Sequence, residues 1–124
     1  DKSELKATVA FNICGEACEK YRLKIGSGVA GHVAAKGRAA IVNDETKSSA
    51  FFAHIDKRSG FKTRSVLCVP MITQSWIIGA IEVRNKINGA FTVTDEGLLK
   101  PIAAALSALL MNEQLKCNKD HRAT

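Results

Sequence analysis

Two features of this 124-residue chain place chemically useful groups at defined positions. Gly26-Ser27-Gly28 precedes an Ala-rich stretch, residues 29–36 (VAGHVAAK), that is stopped at Gly37. The pattern predicts a short helix behind a glycine turn. Free N–H groups at such a helix start favour a phosphate, although Gly-x-Gly turns are common and this one alone names no ligand. The second feature is Glu82, set between Ile81 and Val83 on the same strand face as Ala80 and Ile78. A carboxylate buried there without a partner would be costly. Either that face meets solvent or the acid points into a polar ligand pocket.

Catalytic constellations are not expected. His32 follows Gly31 on the Ala-rich helix and reads as structural. His54 has no His or Cys partner at metal-ligand spacing, and His121 lies near the end of the chain. The sequence holds no G-x-S-x-G elbow, HExxH pair, Walker loop or kinase signature, and no carboxylate pair suited to acid–base work. Neither a metal nor a resident cofactor is expected. Of the four cysteines, Cys68 lies in an apolar strand and reads as a small core residue. Cys14, Cys18 and Cys117 do not form the paired sets of a zinc site or a disulfide framework, which points to a reducing, cytoplasmic setting. A redox pairing of Cys14 with Cys18 is the minor alternative.

Composition sets the class. With 46% hydrophobic and 24% charged residues the chain can fold as one domain with a real core, but is too short for two. No apolar run approaches the roughly 20 residues of a membrane span, and no signal peptide is visible. The first residue, Asp1, suggests a fragment of a longer protein. A net charge of +6 favours anionic partners. The cations are scattered, however, and only one Trp and one Tyr are available for stacking. A nucleic-acid face is therefore not expected, whereas a small phosphorylated ligand fits the charge.

The elements that would position these groups follow from periodicity. Residues 5–11 (LKATVAF) and 21–25 (YRLKI) alternate as strands and form a long-looped hairpin. After the 29–36 helix, residues 38–42 form a short strand. Residues 43–62 have little regular pattern, which inside a compact domain suggests a binding loop or lid. Residues 65–72 (SVLCVPMI) and 76–84 (WIIGAIEVR) form an antiparallel hairpin turning at Thr73-Gln74-Ser75, with Pro70 marking a bulge or strand end. In a helix over 93–116, Leu98, Ile102, Ala105, Leu106, Leu109 and Leu110 make a broad apolar face, and Pro101 should bend the helix or delay its regular start. Between hairpin and helix lies residues 85–96 (NKINGAFTVTDE). Asn88-Gly89 is a turn signal, Thr92 with Asp95 reads as a helix cap, and Lys86 is placed to pair with Asp95.

Four pieces in this order resemble the GAF domain family, in particular the regulatory GAF domains of cyclic-nucleotide phosphodiesterases and adenylyl cyclases. Residues 28–34 (GVAGHVA) are similar to its G-I-A-G-H-V-A helix start. Residues 55–70 (IDKRSGFKTRSVLCVP) are similar to its V-D-x-x-T-G-[FY]-x-T-R-x-[IL]-L-C-x-P segment, and residues 78–83 (IGAIEV) follow in place. Asn85, Lys86, Phe91, Asp95 and Glu96 match the signature of the cyclic-nucleotide-binding subset.

The resemblance implies an α+β fold: an antiparallel sheet with helices on one face and a short-helix lid over a ligand pocket. The GAF-like part would be residues 1–116, lacking the family's first helix and first strand, with 117–124 a tail or linker. The implied function is a regulatory, non-catalytic module that binds cAMP or cGMP and controls a neighbouring domain, such as a phosphodiesterase catalytic domain or a second GAF domain. The implied ligand contacts are Val29, Ala30 and Phe52 at the phosphate, Asp56, Ser59, Thr63 and Glu82 at the base and ribose, and Phe11 packed on the purine. Asn12 stands where some cGMP-binding members carry Asp. An amide both donates and accepts, which leans the choice towards cAMP. The alternatives are a ligand-free module that dimerises through its helices and a chromophore or haem sensor. No cysteine here is followed by the His that bilin-binding members commonly use.

Overall fold

The computed structural model describes residues 4–6, 22–43 and 63–122. Its centre is an antiparallel hairpin, strand β4 (Val66–Thr73) with strand β5 (Trp76–Arg84). Both are rich in Val and Ile, whose branched side chains fit a pleated surface. They turn through Gln74 and Ser75, with Gln74 in the left-handed region at φ 57°. A register shift between Met71 and Ile72 directly follows Pro70, so the bulge expected from the proline is present. Strand β3 (Ala40–Val42) pairs on the other edge of β4, giving the order β3-β4-β5. Strands β1 (Glu4–Lys6) and β2 (Arg22–Lys24) form a separate antiparallel pair, in which Leu5 lies opposite Leu23. The antiparallel pairing agrees with the predicted hairpin, of which residues 7–21 lie outside the described residues.

Helix α1 (Gly28–Lys36) begins and ends as its glycines dictate. Gly37 caps it at φ 69°, and its N–H donates to the Val33 carbonyl at 2.8 Å. Gly31 lies so close to β2 that a Cβ there would stand 2.6 Å from the Lys24 carbonyl oxygen. Any side chain at Gly31 would push α1 off that strand. Helix α2 (Val93–Arg122) passes through Pro101 without a break and starts well before it, so the proline does not delay the helix. The reason is position. Pro101 removes the N–H that the Gly97 carbonyl would accept, and both residues are exposed, so water can serve that carbonyl. The helix also runs on past Lys116 to Arg122, because residues 117–122 contain neither Gly nor Pro to stop it.

Strand alternation divides the core between two sheet faces. On one, Val66 and Cys68 pack with Val29 and Val33 of α1, bordered by Ala30, Ala40, Val42 and Ala80. On the other, Leu67, Val69 and Met71 pack with Ala103 of α2, bordered by Ile41, Ile81, Phe91 and Leu99. The broad apolar face of α2 is not the side that meets the sheet. Leu98 is 67% exposed and Leu109 60%, and Ile102, Ala105, Leu106 and Leu110 are also exposed. Ala103 and Ser107 are the buried residues instead, and Ser107 returns its hydroxyl to the Ala103 carbonyl at 2.7 Å. Small side chains let the helix axis approach the sheet closely, which the larger leucines would prevent. Among the described residues, no helix is long and apolar enough to cross a membrane.

Candidate functional site

Glu82 and Arg84 lie opposite Cys68 and Val66, so their side chains share the sheet face that α1 covers. Two charged residues are thereby placed beside an apolar cluster. They are accommodated by pairing. Arg84 Nε and Nη2 both donate to Glu82 Oε2, at 2.9 and 2.5 Å. Arg84 Nη1 donates to Thr63 Oγ1 at 3.3 Å. The Arg84 side chain is only 12% exposed and that of Glu82 19%, and Thr63 is buried. Removing Arg84 would take from the half-buried Glu82 carboxylate the guanidinium that pairs with it. Among the described residues no buried side-chain polar atom lacks a hydrogen-bond partner. The question left open for Glu82 is thus answered: it does not face open solvent but belongs to a polar group set into the α1 face.

Of the residues expected to touch a ligand, Thr63 and Glu82 are brought together, with Arg84 as the bridge. Arg84 was not singled out from the sequence, although its spacing of two from Glu82 puts both on one strand face. The Val29 side chain is buried in the core and Ala30 is half-buried against it. What these two can offer a ligand is their backbone N–H groups. Helix α1 has no acid in its first turn and no side-chain bond from Ser27 at its N-cap, so its positive end is not neutralised locally. Phe11, Asn12, Phe52, Asp56 and Ser59 lie outside the described residues. His32 is exposed, and its Nδ1 donates to the Gly28 carbonyl at 3.2 Å, an internal helix contact. Burial pushes the Cys68 thiol far up from its ordinary pKa, and the nearby Glu82 charge adds to that, so Cys68 is an inert core thiol.

The corner between β5 and α2 forms as its chemistry dictates. Lys86 Nζ donates to Asp95 Oδ2 at 2.7 Å and to the Ala90 carbonyl at 3.2 Å. The Thr92 N–H donates to Asp95 Oδ2 at 2.8 Å, and the Asp95 N–H returns to Thr92 Oγ1 at 3.3 Å, closing a reciprocal cap. The hydrogen bond from Lys86, followed by that from the Thr92 N–H, holds the Asp95 carboxyl below the usual carboxylate range. Asn85, at φ 56°, accepts from the N–H groups of Arg64 and Ser65 on its Oδ1, at 2.6 and 3.2 Å. Phe91 packs into the α2-side core, and Glu96 pairs with Lys100 one turn on at 2.8 Å. These signature residues are structural ties at the corner, and the Thr63–Arg84–Glu82 trio is a paired polar group on the α1 face.

Comparison with known proteins agrees with this architecture. The family model described as GAF domain matches residues 6–110. The chain is 33% identical over 102 residues to the dual 3',5'-cyclic-AMP and -GMP phosphodiesterase 11 of Drosophila melanogaster. It is 28% identical over 100 residues to the probable 3',5'-cyclic phosphodiesterase pde-5 of Caenorhabditis elegans. Each match covers 81% of this chain, but only 7% and 14% of those relatives. Among solved structures, the GAF domain from a phosphoenolpyruvate-protein phosphotransferase of Coxiella burnetii has a TM-score of 0.75 at 20% identity, covering 87% of this chain and 64% of that one. The type II free methionine-R-sulfoxide reductase of Thermoplasma acidophilum has a TM-score of 0.67 at 22% identity, covering 88% and 72%. The last two show the fold alone.

Proposed function

Because the chain belongs to the GAF domain family, we propose that it is a regulatory module that binds a cyclic nucleotide on the α1 face of its sheet. The observation that carries this reading is the Thr63–Arg84–Glu82 group, recessed on the face that α1 also covers. Glu82 and Thr63 offer oxygen acceptors, and a hydroxyl donor, to a base and ribose. Backbone N–H groups of Val29 and Ala30, with Phe52, receive the phosphate. Asp56 and Ser59 complete the base and ribose contacts, Phe11 packs on the purine, and Asn12 favours cAMP over cGMP. The named relatives are cyclic-nucleotide phosphodiesterases, which supports a neighbouring domain such as a phosphodiesterase catalytic domain or a second GAF domain as the one controlled; the proposed setting is the cytoplasm. Binding shifts populations only by its differential affinity for the two states. No step of catalysis is assigned to this chain. Asp56→Ala is the test: nucleotide affinity should fall at least tenfold with little change in melting temperature. Equal melting loss with unchanged affinity would remove Asp56 from the site.

A second reading has its own support. Leu98, Ile102, Ala105 and Leu109 are exposed on α2 at alternating steps of four and three residues, the spacing of a two-helix seam. On this reading the module dimerises by pairing α2 with a second copy, with or without a nucleotide. Sedimentation over a hundredfold range of concentration decides it; a monomer throughout would end this reading.

A further inference from the structure

Asn43 follows β3 directly, yet its side-chain amide pairs with the backbone of a residue 48 positions away. Its Nδ2 donates to the Phe91 carbonyl at 3.0 Å, and the Phe91 N–H donates to its Oδ1 at 2.9 Å. One planar amide thus satisfies both polar groups of one residue, as a neighbouring strand would. Only Asn or Gln presents a donor and an acceptor in that arrangement. Phe91 is the residue before Thr92, which caps α2 together with Asp95. Its ring packs among Leu67, Val69, Met71 and Ala103. On the far side of the corner, Asn85 accepts from Arg64 and Ser65, the Asn85 N–H donates to the Ser65 carbonyl at 2.8 Å, and the Lys86 N–H donates to Ser65 Oγ at 3.3 Å. Thr63, one residue before Arg64, belongs to the recessed polar group.

In sequence, then, Asn43 and Thr63 bracket residues 44–62, and both flanks are tied to the one corner that starts α2. We propose that Asn43 is a positioning residue that couples the end of β3 to the N-cap of α2, so that this corner carries a change at the α1 face into the terminal helix. It touches no ligand in this assignment. The nucleotide arm of the test rests on the function proposed above; the ligand-free arm does not.

Amide hydrogen exchange tests it. Without nucleotide, Asn43→Ala should speed exchange at Phe91, Thr92, Asp95 and Glu96 by about threefold to tenfold relative to Val69 in β4, the ratio expected from one or two lost hydrogen bonds. Asn43→Asp keeps the acceptor for the Phe91 N–H and loses the donor, so it should give an intermediate speeding at the same four amides. Faster exchange at Phe91 alone would make the bond a local one and overturn the coupling. So would equal speeding of all four amides and Val69, which is general destabilisation. With saturating cAMP or cGMP, Thr92, Asp95 and Glu96 should slow in the natural protein and not in Asn43→Ala. Equal slowing in both would overturn the coupling. If the natural protein binds neither nucleotide, the function reading fails, and the ligand-free arm alone decides the role of Asn43.

Discussion

The two faces of the β3-β4-β5 sheet are closed by different means. On the α2 side, Leu67, Val69 and Met71 meet Ala103, Leu99 and Phe91, and the contact is apolar. On the α1 side a similar apolar cluster covers only part of the strands, and Glu82, Arg84 and Thr63 occupy the rest. Burying hydrocarbon stabilises without direction, whereas burying a charged group requires a partner at fixed geometry. The difference teaches that the α2 side is closed by hydrocarbon alone, whereas the α1 side is closed in part by paired polar groups, which is where the proposed recognition is placed.

Substitutions on each face separate these roles. Leu67→Ala should have the largest effect on folding, about 2–5 kcal/mol in denaturant unfolding, because Leu67 is fully buried and its site cannot collapse around a packed helix. Nucleotide selectivity should be unchanged in whatever fraction remains folded. Glu82→Ala removes the carboxylate that accepts two hydrogen bonds from Arg84 and should cost on the order of 1–3 kcal/mol, with nucleotide affinity falling more than tenfold. The double variant Glu82→Ala with Arg84→Ala should recover part of the stability and none of the affinity. Recovery of both would make the pair a structural tie and erase the contrast between the faces.

The corner that serves both faces has a pH signature. Asp95 titrates below its ordinary value of 3.8 in the folded chain. Its contribution is therefore complete above that value and is lost as pH falls through the lower, folded one. Melting temperature should be flat in this respect above about pH 5 and should decline below about pH 4. The decline should be shallower in Lys86→Met, which removes the leading cause of the shift. The smallest effect on folding is expected on the outer face of α2. Leu98→Glu with Leu109→Glu should change unfolding free energy by no more than about 0.5 kcal/mol each, since both side chains are exposed. Self-association, measured by sedimentation, should nonetheless be abolished if α2 pairs with a second copy.

How much of this was legible follows from where the deciding forces act. Local chemistry placed β5 at residues 76–84, the Gly37 stop, the Thr92–Asp95 cap and the Lys86–Asp95 pair, because each depends on a few adjacent residues or one short corner. The buried face of α2 was not legible. Apolar residues occupy more than one side of that helix, and the closeness of helix to sheet, which favours Ala103 and Ser107, is a tertiary fact. Within the candidate site Glu82 drew notice because a mid-strand acid is costly. Arg84, at the strand end, drew no such notice, because its tie to Thr63 forms only in the fold. Asn43 gave no local signal, since its partner lies 48 residues on. Phe11, Asn12, Phe52, Asp56 and Ser59 lie outside the described residues and remain assignments from family resemblance.

Isothermal titration of the protein with cAMP and, separately, cGMP tests the central claim most directly. The account predicts saturable heat at one site per chain for at least one of them, stronger for cAMP, with a matching rise in melting temperature. No heat and no change in melting temperature with either nucleotide at millimolar concentration would contradict it.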